Sequence, residues 1–204
     1  MSHAPSVSWQ EALSRLKEGN ARYVAGRCEH PHADAMRRSE TAELGQHPFA
    51  AIVGCSDSRA PVEVILDQGI GDVFVARVPG NVCNGDEIGA VEYPVEHLGV
   101  PLCVVLGHTR CGAVISVATG APLEGHLARL LTNIRHSMAR ARKENPTADD
   151  QQLIEMTVLT NVQQSIADLL QGSPLLRERV TQGTLKVMGA VYDVASGVVQ
   201  WLEE

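Results

Sequence analysis

Three short, nearly unbroken apolar runs constrain this chain more than anything else in it. They are Phe49-Ala50-Ala51-Ile52-Val53-Gly54, Val73 to Val78 and Leu102 to Leu106, and helical text separates them. A strand that is apolar on both sides must be covered on both sides, so the runs read as buried parallel strands with helices above and below. Asp86 to Leu98 supplies a helix before the third run, and Cys111 to Ala118 begins another after it. Leu127, Leu130, Leu131, Ile134 and Met138 mark one further helix, and Leu153 to Leu170 a long one that stops at Gly172-Ser173-Pro174. Thr184 to Val194, then Ser196-Gly197, then Val198 to Leu202 reads as a closing strand and hairpin. The predicted fold class is therefore α/β: a mainly parallel central sheet flanked by helices, with an antiparallel edge strand at the C-terminal end.

Ahead of the sheet, Ser8-Trp9-Gln10-Glu11 has the form of a capping box, and Trp9, Leu13, Leu16, Tyr23 and Val24 recur at helical spacing up to Gly26. From Cys28 to His47 the text is polar and turn-like and includes Pro31, which predicts an irregular connection over the surface. A chain of 204 residues supports one core. We read residues 1–47 as a helical arm on an α/β core of residues 48–204.

Charge narrows the function classes. A formal net charge of -7 and a pI near 5.6 argue against nucleic acid as a partner, because phosphate binding needs a basic surface. The one basic cluster, Arg135 to Lys143, has the spacing of a solvated helix face. No apolar stretch reaches the 18 residues of a membrane span, and Met1 to Gln10 lacks the basic start and apolar run of a signal peptide, so a cytoplasmic protein without a membrane partner is expected. Cys28, Cys55, Cys83, Cys103 and Cys111 are odd in number and scattered, which favours free thiols or metal ligands over disulfides.

Two cysteines stand where chemistry is expected. Open α/β sheets bind ligands at the carboxyl ends of their strands, and Cys55 and His108 each close an apolar run. Cys111, three residues past His108, begins the next helix. Zinc favours thiolate and imidazole, and a catalytic site keeps three protein ligands and one open position. His-x-x-Cys alone is a weak signal, since buried Cys and hydrogen-bonded His are common. It gains weight from Cys55-Ser56-Asp57-Ser58-Arg59: an Asp two residues beyond a ligand can serve the open position, held there by a bidentate Arg. Cys103, within the third run, reads as apolar filling, whereas Cys28 and Cys83 have no evident partner and His30, His32 and His47 only a loose grouping.

Over most of its length the chain resembles the β-class carbonic anhydrases. Gln46 to Gly54, Cys55-Ser56-Asp57-Ser58-Arg59, Gly71 to Arg77, Gly80-Asn81, Val91-Glu92-Tyr93, His97 to Val100, Gly107 to Gly112 and Val191-Tyr192-Asp193 follow in the family's order. The resemblance implies one zinc ion per chain on Cys55, His108 and Cys111, an Asp57–Arg59 catalytic dyad, and reversible hydration of carbon dioxide to bicarbonate and a proton by zinc-bound hydroxide. It also implies a homodimer whose N-terminal helices reach over the neighbour, with dimers of dimers as a further assembly.

Other family positions follow residue by residue. Gln46, nine residues before Cys55, matches a glutamine that donates to a substrate oxygen. Tyr93 and His97 match a pocket tyrosine and a proton shuttle; four residues apart they share one helix face, and a packed Tyr with a surface His is the plain alternative. Gly112 would offer a main-chain N–H to bicarbonate at a helix start, or else serve close packing.

The chain also departs from the family's pattern. Pro79 and Pro94 stand where Ala is usual, and a proline within a helix is expected to shift the pocket wall beside Tyr93. Arg77 and Tyr192 match two members of a regulatory bicarbonate site whose tryptophan is here Ile52, so Asp57 is expected to remain paired with Arg59. Two other functions remain open on these residues: hydrolysis of carbonyl sulfide or carbon disulfide at the same zinc, and a non-catalytic zinc or bicarbonate-binding role.

Overall fold

The computed structural model describes residues 7–202. The elements in chain order are α1 (Trp9–Val24), α2 (Ala35–Leu44), β1 (Ala50–Gly54), α3 (Val62–Ile65), β2 (Val73–Arg77), α4 (Gly85–Leu98), β3 (Leu102–His108), α5 (Gly112–Ala118), α6 (Gly125–Leu130), α7 (Thr132–Glu144), α8 (Asp150–Gly172), α9 (Pro174–Thr181), β4 (Lys186–Tyr192) and β5 (Val199–Trp201). The five strands form one sheet in the order β2-β1-β3-β4-β5. All pairs are parallel except β4 with β5, which closes the sheet as an antiparallel edge.

Alternation along the strands divides the core into two layers, as period-2 side chains require. Ala51 and Val53 of β1 and Cys103 and Val105 of β3 meet Val158 and Val162 of α8 and Ile134 of α7 on one face. Ala50 and Ile52, with Leu102, Val104 and Leu106, meet Ala12 and Leu16 of α1 and Ile65 of α3 on the other. Cys103 is fully buried filling, and burial pushes its thiol pKa up to about 12. At Gly107 an added Cβ would stand 2.6 Å from Val162 Cγ2, so the glycine is what lets α8 cross β3 so closely.

Several elements differ from the sequence expectation. The segment 28–47 is not irregular throughout: α2 forms there, started by the Asp34 carboxylate accepting from the Arg37 N–H, and it buries no residue. That lack of a buried stripe is why no hydrophobic period betrays it. The single helix expected from Leu127 to Met138 is two, α6 and α7, meeting at Leu131, which is itself buried. Past the stop at Gly172, Ser173 caps and Pro174 opens α9, the first-turn position that proline tolerates. At α1 only half of the capping box forms, since Ser8 accepts from the Glu11 N–H while the Glu11 side chain pairs with Arg15. Pro94 does not end α4: the helix runs on to Leu98, and the Pro94 carbonyl accepts from Gly99 and Val100 at its close.

The arm is tied to its own core. Asn20, 5% exposed, donates to the carbonyls of Ile65 and Gly197 and accepts from the Val199 N–H, so one side chain joins α1, α3 and the β4–β5 hairpin. Burial would raise the Asp67 pKa, but Arg22 at 2.6 Å and the N–H groups of Glu29 and His30 outweigh it and hold it below the usual range. Among the described residues no helix is long and apolar enough to cross a membrane.

Candidate metal centre

β1 and β3 are neighbours, with Gly54 opposite Leu106, so their carboxyl ends bring Cys55 and His108 side by side. Cys111 then occupies the N-cap of α5. It reaches back because Arg110 adopts a left-handed turn, φ 55°. The three ligand atoms lie within 4.8 Å of one another and all three residues are buried. They are the only such group found among the described residues.

The hydrogen bonding fits a metal. His108 Nδ1 lies 2.9 Å from the Thr109 carbonyl oxygen, which can only accept, so Nδ1 carries the proton and Nε2 the lone pair. Nε2 is buried without a hydrogen-bond partner, an arrangement that costs free energy unless something binds it. The two sulfurs stand 4.0 Å apart, against about 3.8 Å for two thiolates on one tetrahedral zinc.

The charges agree. Cys55 Sγ accepts from the N–H groups of Gly80 at 3.2 Å and Asp57 at 3.4 Å. Its pKa is lowered to about 4, first by the Cys111 thiol and further by His108 and those two amides, against the cost of burial. Cys111 moves the other way, raised first by its hydrogen bond to Cys55, then by burial and by the charge on Cys55. Gly80 can approach Cys55 because Pro79–Asn81 forms a tight turn with Gly80 at φ 75° and Pro79 in its first position, where the missing N–H costs nothing. Asn161, 1% exposed, steadies that turn by donating to the Gly80 carbonyl at 2.7 Å.

Asp57 stands beside the group without joining it. Arg59 grips both carboxylate oxygens, Nε to Oδ1 at 3.0 Å and Nη2 to Oδ2 at 2.7 Å, and the Arg59 N–H also donates to Oδ1. The guanidinium therefore holds Asp57 well below the usual carboxylate range. Oδ2 remains 3.9 Å from His108 Nε2. The same Arg59 Nη2 donates to the Arg110 carbonyl, linking the Cys55 and Cys111 segments. Arg77 is also committed, donating to the carbonyls of Cys55 and Asp57. Tyr192 is 3% exposed with its hydroxyl 3.4 Å from that of Tyr23, and Ile52 is core.

The remaining expected residues divide. Gly112 is exposed next to Cys111, and an added Cβ there would meet nothing within 4 Å, so close packing does not account for the glycine. Gln46 and Tyr93 are not brought to the metal group within one chain. They line a surface cleft with Leu44, Ile70, Gly71 and His97, at the amino ends of the strands. Tyr93, 48% exposed, stacks between Phe74 and His97 with ring centroids 5.8 and 5.2 Å away. His32 pairs with Asp72 at 2.7 Å and lies outside the metal group. Sequence reasoning missed the Gly80 amide, the Arg110 carbonyl and Asn161, whose roles arise from tertiary approach.

Two thiols and an imidazole at strand ends, with the nearby carboxylate held by an arginine outside the ligand set, match the three-ligand, one-open-position pattern of catalytic metal sites. By class the molecule is an α/β protein with a group that could hold a metal at the carboxyl ends of its strands. Comparison with known proteins narrows this: residues 50–199 match the family described as carbonic anhydrase. Carbonic anhydrase 2 of Mycobacterium tuberculosis is 36% identical over 197 residues, covering 95% of this chain and 92% of that protein. The carbonic anhydrase of Mycolicibacterium smegmatis is 34% identical, with 96% and 92% covered. Among solved structures, the β-carbonic anhydrase CafA of Aspergillus fumigatus superposes with a TM-score of 0.75 at 31% identity, covering 95% and 90% of the two chains. Two tetrameric β-carbonic anhydrases of Sordaria macrospora are represented by a chain with a TM-score of 0.73 at 29% identity, each chain covered to 96%. The chain belongs to the β-carbonic anhydrase family.

Proposed function

We propose that this chain hydrates carbon dioxide reversibly to bicarbonate and a proton, with one zinc ion held by Cys55, His108 and Cys111. The observation that carries the reading is the engagement of Asp57 by Arg59, which keeps the carboxylate ionised and beside the ligand group instead of within it. Zinc, when bound, brings the pKa of water from about 15.7 to about 7 and so supplies a nucleophile at neutral pH. Asp57, which when ionised accepts and cannot donate, would take a hydrogen bond from a molecule bound at the metal and so orient it toward the carbon of the substrate. Arg59 fixes the direction of that acceptor and prevents it from closing the position. Gly112, beside Cys111, offers its main-chain N–H to the anionic product.

Gln46 and Tyr93 serve the reaction from a second copy of the chain. The β2 edge is half exposed and apolar through Val73, Phe74, Val75 and Ala76, and Leu44, Ile70 and Tyr93 beside it are exposed. Such an edge invites pairing across a two-fold axis. The assembly is a homodimer, with a dimer of dimers supported by the tetrameric Sordaria macrospora relatives.

The test is stopped-flow hydration by purified protein beside Asp57→Asn, with zinc measured in both. A fully loaded variant slowed about 100-fold or more is expected, in line with loss of a positioned proton acceptor. An unchanged rate at full zinc loading would remove Asp57 from the reaction.

A further inference from the structure

The residue after the histidine ligand is fixed by more bonds than its turn requires. Thr109 donates its N–H to the Tyr192 carbonyl at 2.9 Å. Its hydroxyl donates to Asp193 Oδ2 at 3.1 Å and accepts from the Val194 N–H at 3.1 Å. Three bonds, to Tyr192 at the end of β4 and to Asp193 and Val194 just past it, thus set the orientation of residue 109. Its carbonyl is the group that accepts from His108 Nδ1. The next carbonyl, of Arg110, accepts from Arg59. Asp193 is rigid in turn, because its other oxygen, Oδ1, accepts from the N–H groups of Ala195 and Ser196 and from the Ser196 hydroxyl.

We propose that Asp193 is a positioning residue of the metal centre: by clamping the Thr109 hydroxyl, it sets the tautomer and ring direction of His108 through the Thr109 carbonyl. Asp193 touches neither substrate nor metal. It acts across the sheet, from the β4–β5 hairpin onto the end of β3, and makes the antiparallel edge part of the site's architecture. Outer hydrogen-bond partners of this kind alter metal affinity about 10- to 100-fold. The proposal rests on the zinc site of the proposed function.

The experiment measures zinc affinity by competition with a chromophoric chelator, and the visible spectrum of the cobalt-substituted protein, for wild type, Thr109→Val, Thr109→Ser and Asp193→Asn. Ser173→Ala, at the distant α9 cap, controls for a general loss of stability. Thr109→Val and Asp193→Asn are expected to bind zinc about 10- to 100-fold more weakly with a shifted cobalt band. Thr109→Ser, which keeps the hydroxyl, is expected to restore both, and Ser173→Ala to bind as wild type does. A folded Thr109→Val or Asp193→Asn with wild-type affinity and spectrum would overturn the proposal alone, as would an equal loss in Ser173→Ala. A wild-type protein that takes up no zinc would overturn the functional reading with it.

Discussion

If Gln46 acts on the partner's zinc, subunits that are inactive for different reasons must repair each other. β1 runs from Ala50 to Gly54 and so carries the chain about 13 Å at a rise of about 3.3 Å per residue. Cys55 lies at its far end, whereas Gln46 precedes its start and shares a cleft with Gly71, just before β2, and Leu98, just before β3. A glutamine side chain spans about 5 Å, far short of that gap. Gln46→Ala and Asp57→Asn subunits are therefore each inactive as homodimers if both residues matter. Mixed after partial unfolding, a heterodimer carries one site lacking both groups and one site intact. Random pairing at equal amounts makes half of the dimers mixed, so about a quarter of wild-type activity returns. Stopped-flow hydration before and after mixing reads this directly. If Gln46 served its own chain's zinc, both sites of the mixed dimer would be defective and nothing would return, and that result would refute the two-chain site.

Two further predictions concern the frame around the centre. Asp67 has a depressed pKa when folded, so its stabilisation is complete above the ordinary carboxylate pKa of about 3.9 and is lost as pH falls through the lower folded value. Asp67→Asn, which leaves Arg22 only the longer 3.9 Å pairing with the exposed Glu29, should cost about 3 kcal/mol at pH 7 and progressively less as pH falls below about 3.9; a cost in denaturant melts that stays constant down through the acid range would contradict this. Gly107→Ala should lower stability by about 1–3 kcal/mol by pressing on Val162, and Val162→Ala in the same chain should recover part of it in thermal melts.

Much of this was legible in the residues because burial on both faces leaves a clear mark. The runs at 49–54, 73–78 and 102–106 became β1, β2 and β3, and parallel order followed from the helical text between them. α2 left no mark because it buries nothing, and α6 and α7 read as one because Leu127 to Met138 keeps a helical period across the break at Leu131. The metal group could be found because its residue types are rare in combination and sit at strand ends. Its supports are main-chain atoms, the Gly80 amide and the carbonyls of Thr109 and Arg110, which every residue possesses and which no sequence pattern marks. Gln46 and Tyr93 match parts of one site, yet strand direction puts them at the amino ends of the strands, opposite the carboxyl end that carries Cys55.

The central claim is that a single zinc on Cys55, His108 and Cys111 makes the chain a hydratase. Titrating zinc into chelator-stripped protein while following carbon dioxide hydration tests it most directly. The account predicts no catalysis without metal and a linear rise that breaks at one zinc per chain. Full activity in the stripped protein, or a break at half an equivalent, would contradict it.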